Sequence, residues 1–116
     1  MIVAIQGSKN FNDYNVFLRA MGVALSSLPE GDTDILFASA GPLNINNMGM
    51  EFTNISERSL KARGINIKLI KVPPTWIKDN IHSIGYFAYF SKPKEPLSEL
   101  VDLAEAKDIE VGVYRY

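Results

Sequence analysis

The chain has 116 residues, with 12 Lys and Arg against 13 Asp and Glu, so its formal net charge is −1. It contains no cysteine, which excludes a disulfide scaffold and every zinc or iron–sulfur site with cysteine ligands. The near-zero net charge argues against a broad nucleic-acid-binding face. His82 is the single histidine, so catalysis by a histidine would depend on this residue alone. A hydrophobic fraction of 47% is typical of a folded globular domain.

The first half of the chain alternates apolar runs with amphipathic segments. Residues 2–5 and 35–38 are continuously apolar, which predicts buried parallel strands at 2–5 and 34–38. Apolar residues at three- and four-residue spacing predict a helix over 16–28. The segment 39–49 contains Gly, Pro and three Asn, so we expect a loop there, followed by a helix over about 50–63.

The second half continues this alternation. Residues 66–72 alternate polar and apolar side chains, which predicts a strand with one wetter face, near an edge of the sheet. Residues 75–83 are expected to be irregular or to form a short helical turn. Apolar runs then predict strands at 84–90 and 110–114, separated by a helix over 97–107.

Strands that alternate with helices predict a parallel sheet covered on both faces. We therefore expect residues 1–116 to form a single Rossmann-like domain, a three-layer α/β fold with a mostly parallel sheet of about five strands and three helices. The chain opens on Met1 and a short apolar run, from which we expect neither a signal peptide nor a segment that crosses a bilayer. A cytoplasmic protein without membrane contact is the expectation, and no cofactor or metal site is predicted.

Ligands of open parallel sheets bind outside the carboxyl ends of the strands, which selects the residues that follow each predicted strand. Glycine turns there expose backbone N–H groups to an anion, and an aromatic plane stacks on a base. Further hydroxyl groups and cations at this edge are Thr75, Lys78, Lys92 and Lys94. The predicted ligand-binding residues are Gly7, Ser8, Lys9, Ser39, Gly41 and Trp76.

Each candidate also has a plainer interpretation. A glycine after a buried strand often serves only the turn, and exposed lysines are usually just solvated. For Trp76 a cover over the edge of the core is favoured above stacking on a base, because aromatic side chains chiefly supply buried area. His82 has no partner visible in the sequence and is interpreted as a surface or packing residue.

Four short motifs resemble those of a known family. Residues 7–11 (Gly-Ser-Lys-Asn-Phe) are similar to a Gly-(Gly/Ser)-Arg-x-Phe opening, and residues 39–41 to a small-residue glycine turn. Residues 49–51 resemble a Gly-Ala-Asp motif with Glu51 in place of Asp, and residues 72–76 resemble Pro-Ala-Asp-Trp. In this order the motifs resemble the YspA-like branch of the SLOG superfamily. Its members are small Rossmann-like relatives of DNA-processing protein A and of the LOG, or lysine decarboxylase-like, phosphoribohydrolases.

The resemblance implies a fold that often binds nucleotides or nucleotide-derived signals. Lys9 stands where the family usually has Arg, and Ser91-Lys92-Pro93-Lys94 replaces its late glycine-rich phosphate turn. The Gly-Gly-x-Gly-Thr-x-x-Glu motif of the LOG hydrolases is missing, so the resemblance does not imply their glycosidic cleavage.

Three functions remain open on these grounds. The first is a protein that binds a nucleotide or phosphate-bearing small ligand without a clear catalytic apparatus. The second is a non-catalytic accessory protein, phage-encoded and homo-oligomeric, with a vestigial cleft and an aromatic partner surface. The third is a nucleoside-monophosphate phosphoribohydrolase with Glu51 as acid/base and Lys9 on the phosphate. The partner surface would draw on Tyr86, Phe87, Tyr89, Phe90, Tyr114 and Tyr116.

Overall fold

Five parallel strands form one sheet in the computed structural model, which describes residues 1–116. In chain order they are β1 (Ile2–Gly7), β2 (Asp34–Ser39), β3 (Asn66–Lys71), β4 (Ile84–Ser91) and β5 (Glu110–Arg115). Their order across the sheet is β3-β2-β1-β4-β5, and every neighbouring pair is parallel. The predicted Rossmann-like α/β fold is therefore confirmed, and β3 lies at an edge as its alternating pattern indicates.

Four helices cover the two faces of the sheet. They are α1 (Tyr14–Ser26), α2 (Leu43–Ala62), α3 (Pro74–Asp79) and α4 (Glu99–Ala106), and a short 3-10 turn (Ile81–Ser83) follows α3. Residues of α1 and α2 pack into one hydrophobic cluster on one face, and residues of α3 and α4 pack into a second cluster on the other face. None of the helices is both long and apolar enough to cross a membrane.

The prediction of a loop over residues 39–49 is wrong for most of that segment. Helix α2 begins at Leu43, because Ile45 and Met48 extend the buried stripe that contains Phe52 by two further residues at helical spacing. Gly49 is accommodated inside the helix because its missing side chain lets Leu69 of β3 approach closely. The fourth helix, α3, is the short helical turn that the sequence leaves open at 75–83.

The aromatic side chains of β4 do not form an outer surface. Tyr86, Phe87, Tyr89 and Phe90 are all buried, with exposures between 0% and 6%, so the predicted partner surface is wrong for this strand. The reason is that β4 is an inner strand, with helices on both of its faces. Only Tyr114 and Tyr116 remain half-exposed.

A hydrogen bond between the hydroxyls of the buried Tyr86 and the half-exposed Tyr114 makes the fold sensitive to alkali. The Tyr86 and Tyr114 hydroxyls lie 2.5 Å apart, and burial, followed by this hydrogen bond, raises the pKa of Tyr86 above its ordinary value. A raised pKa in the folded state means that stability is full below the unfolded-state pKa of about 10 and falls as the pH rises above it. We expect the urea midpoint to fall between pH 8 and pH 11. The fall should be smaller in Tyr86→Phe, and an equal fall in both proteins would contradict the assignment.

Candidate functional site

The carboxyl ends of β1 and β4 are joined directly by hydrogen bonds. These two strands are adjacent, and their following helices lie on opposite faces, which is where Rossmann-like sheets usually open a crevice. Here the Ser8 N–H donates to the Phe90 carbonyl oxygen at 2.8 Å, and the Gly7 N–H donates to the Gly41 carbonyl oxygen at 3.2 Å. The two N–H groups that the sequence predicts for an anion are therefore already engaged within the protein.

Both predicted glycines have a local structural reason. A Cβ atom on Gly7 would lie 2.5 Å from Ile45 Cδ1 and 2.9 Å from both Cβ and the carbonyl oxygen of Phe90. Gly41 has φ +83°, in the left-handed region that favours glycine, and a Cβ atom there would make only ordinary contacts, the nearest at 3.7 Å from Asn46 Nδ2. Gly7 is thus required by close packing and Gly41 by backbone conformation.

The remaining predicted residues do not converge on a common cavity. Ser8 is buried and its hydroxyl bonds to the Tyr116 hydroxyl, while the buried Ser39 donates its hydroxyl to Asn46 Oδ1 at 2.5 Å. Lys9 is exposed, and Trp76 packs half-buried against the cluster under α3 and α4. Their role in binding stays a prediction, with a structural role now visible for each serine and for Trp76.

The N-terminus of α1 already holds a negative charge. Asp13 caps this helix, and its carboxylate oxygen accepts from the Val16 N–H at 3.2 Å. A carboxylate at this position uses the favourable field of the helix dipole, so a second anion there would meet repulsion. This geometry disfavours a phosphate on the loop between β1 and α1.

The largest cleft of the molecule lies instead between α3 and α4, over the carboxyl end of β1. Its volume is about 570 Å³, within the range of roughly 300–1,000 Å³ that is usual for small-molecule sites. It includes Thr75 and Lys78, which the sequence places at this edge, but none of the six residues predicted to bind a ligand. The lining residues are Gln6, Pro74, Thr75, Lys78, Ser98, Glu99, Leu100 and Leu103.

Gln6 gives this cleft an unusual floor. Along β1 its side chain points to the same face as Ala4, towards α3 and α4. Its Oε1 atom is buried and has no hydrogen-bond partner, and it is the sole buried side-chain oxygen or nitrogen in this condition. A buried acceptor without a partner lowers the stability of the fold by about 1–3 kcal/mol. A hydrogen bond from a ligand would recover part of this free energy.

Charge in the cleft is mixed. Lys78 on α3 supplies a cation, and Glu99 in the first turn of α4 supplies a carboxylate. Ser98 is less free to bind, because its hydroxyl oxygen caps α4 by accepting from the Leu100 N–H at 3.2 Å. The cleft therefore offers Lys78 to an anion and the Glu99 carboxylate to hydroxyl or amino donors, with the Gln6 side chain at its floor.

Glu51 lies in a separate and smaller pocket of about 260 Å³, between the N-termini of α1 and α2. Burial, followed by the charge of Glu51, raises the pKa of Tyr14 beside it. The other polar residues of this pocket are Asn12, Asn44 and Asn47, and Lys9 is not among them. Cleavage of a glycosidic bond usually needs two positioned acidic groups, and this pocket supplies one carboxylate.

Sequence reasoning missed Gln6, Ser98 and Glu99. The sequence does contain an indication for Gln6, since this polar residue directly follows the apolar run of a strand that is buried on both faces.

No group of three or more His, Asp or Glu side chains is placed to hold a metal ion. Comparison with protein-family models found no match, and neither did comparison with the curated proteins or with the solved structures.

Proposed function

We propose that this protein binds a nucleotide or another small phosphate-bearing molecule in the cleft between α3 and α4. The observation that carries the proposal is Gln6, which lines the floor of this cleft at the carboxyl end of an inner strand and whose buried Oε1 has no hydrogen-bond partner. A protein keeps a group of this kind at a cost in stability, and ligand binding is a reason to keep it.

Lys78, Glu99 and Gln6 each contact a different part of the proposed ligand. Lys78 is the cation for a phosphate group, which needs a positive charge at a site that also contains a carboxylate. Glu99 and Gln6 accept hydrogen bonds from hydroxyl and amino groups, which a ribose and a base carry together. Leu100 and Leu103 provide the apolar wall against which a base packs.

Binding is tested by thermal shift and calorimetry with AMP, ADP, ADP-ribose, cyclic nucleotides, adenosine and inorganic phosphate. We expect a nucleotide to raise the melting temperature more than adenosine or phosphate alone, because it contacts both halves of the cleft. Lys78→Ala should weaken binding at least about tenfold, equivalent to about 1.4 kcal/mol. Lys92→Ala removes an exposed cation that does not line the cleft and is the matched control.

Gln6→Met is the sharper variant, because it replaces the amide with an unbranched apolar chain of similar length. We expect it to raise the free energy of unfolding by about 1 kcal/mol, since the unpartnered acceptor is gone, and to weaken nucleotide binding. Binding that is lost in Lys9→Ala but kept in Gln6→Met and Lys78→Ala would move the site to the β1–α1 loop. The absence of binding by every compound would contradict the proposal.

A further inference from the structure

The charged residues are divided between the two edges of the sheet. Between residues 58 and 78 there is no Asp or Glu, and between residues 95 and 110 the only cation is Lys107. We name the first group the basic edge; it comprises Arg58, Lys61, Arg63, Lys68, Lys71 and Lys78. We name the second group the acidic edge; it comprises Glu95, Glu99, Asp102, Glu105, Asp108 and Glu110.

Apart from Lys78 and Glu99, which line the same cleft between α3 and α4, the fold holds these two groups apart. The basic edge spans the end of α2, the edge strand β3 and α3, which ends at Asp79, whereas the acidic edge spans α4 and the start of the edge strand β5, which ends at Arg115. Four inter-strand spacings of about 4.8 Å separate β3 from β5, a distance of about 19 Å. Because the Debye length is about 8 Å at physiological salt, the two edges of one molecule hardly attract each other. The single salt bridge of the structure joins the Met1 amino group to Asp32 and involves neither edge.

Part of the sheet beside the basic edge is uncovered. Leu36 on β2 and Ile70 on β3 are half-buried and belong to neither hydrophobic cluster. They alternate with the buried Ile35 and Phe37 and with Leu69, so they point to the face that carries α3 and α4. The outer sides of β3 and β5 also carry backbone N–H and C=O groups without a neighbouring strand.

We propose that the basic edge of one copy of this chain docks against the acidic edge of a second copy, with β3 beside β5. Continuing the sheet in this way keeps the strands parallel and sets α4 of the second copy on the face where Leu36 and Ile70 are uncovered. Asp102 and Glu105 on that helix then approach Lys68. A contact between two basic or two acidic edges would place like charges together, so the interface joins unlike surfaces and repeats head to tail.

The first measurement is the mass in solution by light scattering, across a concentration series, in 20 mM and in 500 mM salt. The monomer has a mass of 12.9 kDa. We expect species heavier than this at low salt, growing with concentration and reverting to monomer at high salt, because an interface between opposite charges is screened. A monomer at every concentration in low salt would overturn the proposal.

The second measurement is a charge exchange. Lys68→Glu with Lys71→Glu puts two carboxylates on strand β3 of the basic edge, and Glu105→Lys with Glu110→Lys puts two cations on α4 and β5 of the acidic edge. Each double variant alone should require at least about tenfold more protein to associate, whereas an equimolar mixture should associate again, because each variant meets its complement in the other. The control, Lys9→Glu with Arg19→Glu, makes the same change in net charge as the lysine double variant at exposed residues of neither edge and should associate like the unmodified protein.

The proposed self-association does not depend on the proposed ligand, so an experiment can contradict either proposal without affecting the other. If the mixture stays monomeric, the two edges do not contact each other and the proposal is overturned. If duplex DNA binds the unmodified protein but not the lysine double variant, and no self-association is seen, the basic edge serves a polyanion and the proposal is likewise overturned. Nucleotide binding would be unaffected in either case.

Discussion

Replacing Phe90 with alanine is expected to lower the free energy of unfolding by about 3–5 kcal/mol. The Phe90 side chain is fully buried, and its ring centroid lies 4.5 Å from that of Phe11 and 5.5 Å from those of Phe17 and Tyr114. It therefore joins the β1–α1 loop, helix α1 and strand β5 around one strand of the sheet. Removing the ring takes away the central member of this stack and leaves a cavity that three separate elements would have to close.

Urea unfolding followed by circular dichroism measures this loss. A domain of this size is stable by only about 5–15 kcal/mol, so Phe90→Ala removes a large share and approaches unfolding at room temperature. Phe90→Leu keeps part of the volume and should lose less, which preserves a measurement if the alanine variant does not fold. Ile55→Ala is the control, since that side chain is 66% exposed, and a loss in Phe90→Ala no larger than in the control would contradict the packing account.

The strands were predictable because the pattern of apolar residues in each run indicates whether one or both of its faces are buried. The run at 2–5 is apolar on both faces and became an inner strand, whereas the alternating run at 66–72 became an edge strand. Strand order is different, because it depends on which strands pair across long stretches of chain. Only the structure places β4 between β1 and β5, and that position buries the aromatic side chains that the sequence assigned to an outer surface.

The start of α2 shows how a local signal is overridden. Asn residues favour turns because their side chains compete for backbone hydrogen bonds, and this preference hides the apolar spacing of Ile45, Met48 and Phe52. In the structure Asn44 and Asn47 lie on the exposed side of the helix, where propensity costs little, while burial of the apolar stripe stabilises the helix. The missed evidence was a periodicity that extends across the presumed loop.

The candidate site was harder to predict than the fold, because it depends on contacts between distant residues. The sequence indicates that Gly7 and Ser8 end a strand, but not that their N–H groups bond to Gly41 and Phe90. Nor does it indicate that Gln6 lies beneath a cleft lined by α3 and α4. Gln6 still breaks the apolar pattern of its strand, and such local conflicts occur preferentially at functional sites.

Gly7→Ala is expected to lower the free energy of unfolding by about 1–3 kcal/mol, even though it adds a single methyl group. The added Cβ would lie 2.5 Å from Ile45 Cδ1, a flexible atom that can move, and 2.9 Å from the Phe90 carbonyl oxygen, which is fixed in the sheet. The backbone of β1 and β4 must therefore separate slightly, which weakens the bond from the Ser8 N–H to Phe90. This cost arises without any ligand.

The same substitution in an Ile45→Val background identifies the cause. Valine lacks the Cδ1 atom, so the added methyl group meets one obstacle fewer and the two substitutions should cost less together than the sum of each alone. Gly22→Ala is the matched control: a Cβ there meets nothing within 4 Å on an exposed turn of α1, so we expect stabilisation of about 0.5–1 kcal/mol. Additive costs at positions 7 and 45, with Gly7→Ala as harmless as Gly22→Ala, would mean that packing does not require this glycine and would return it to the predicted ligand site.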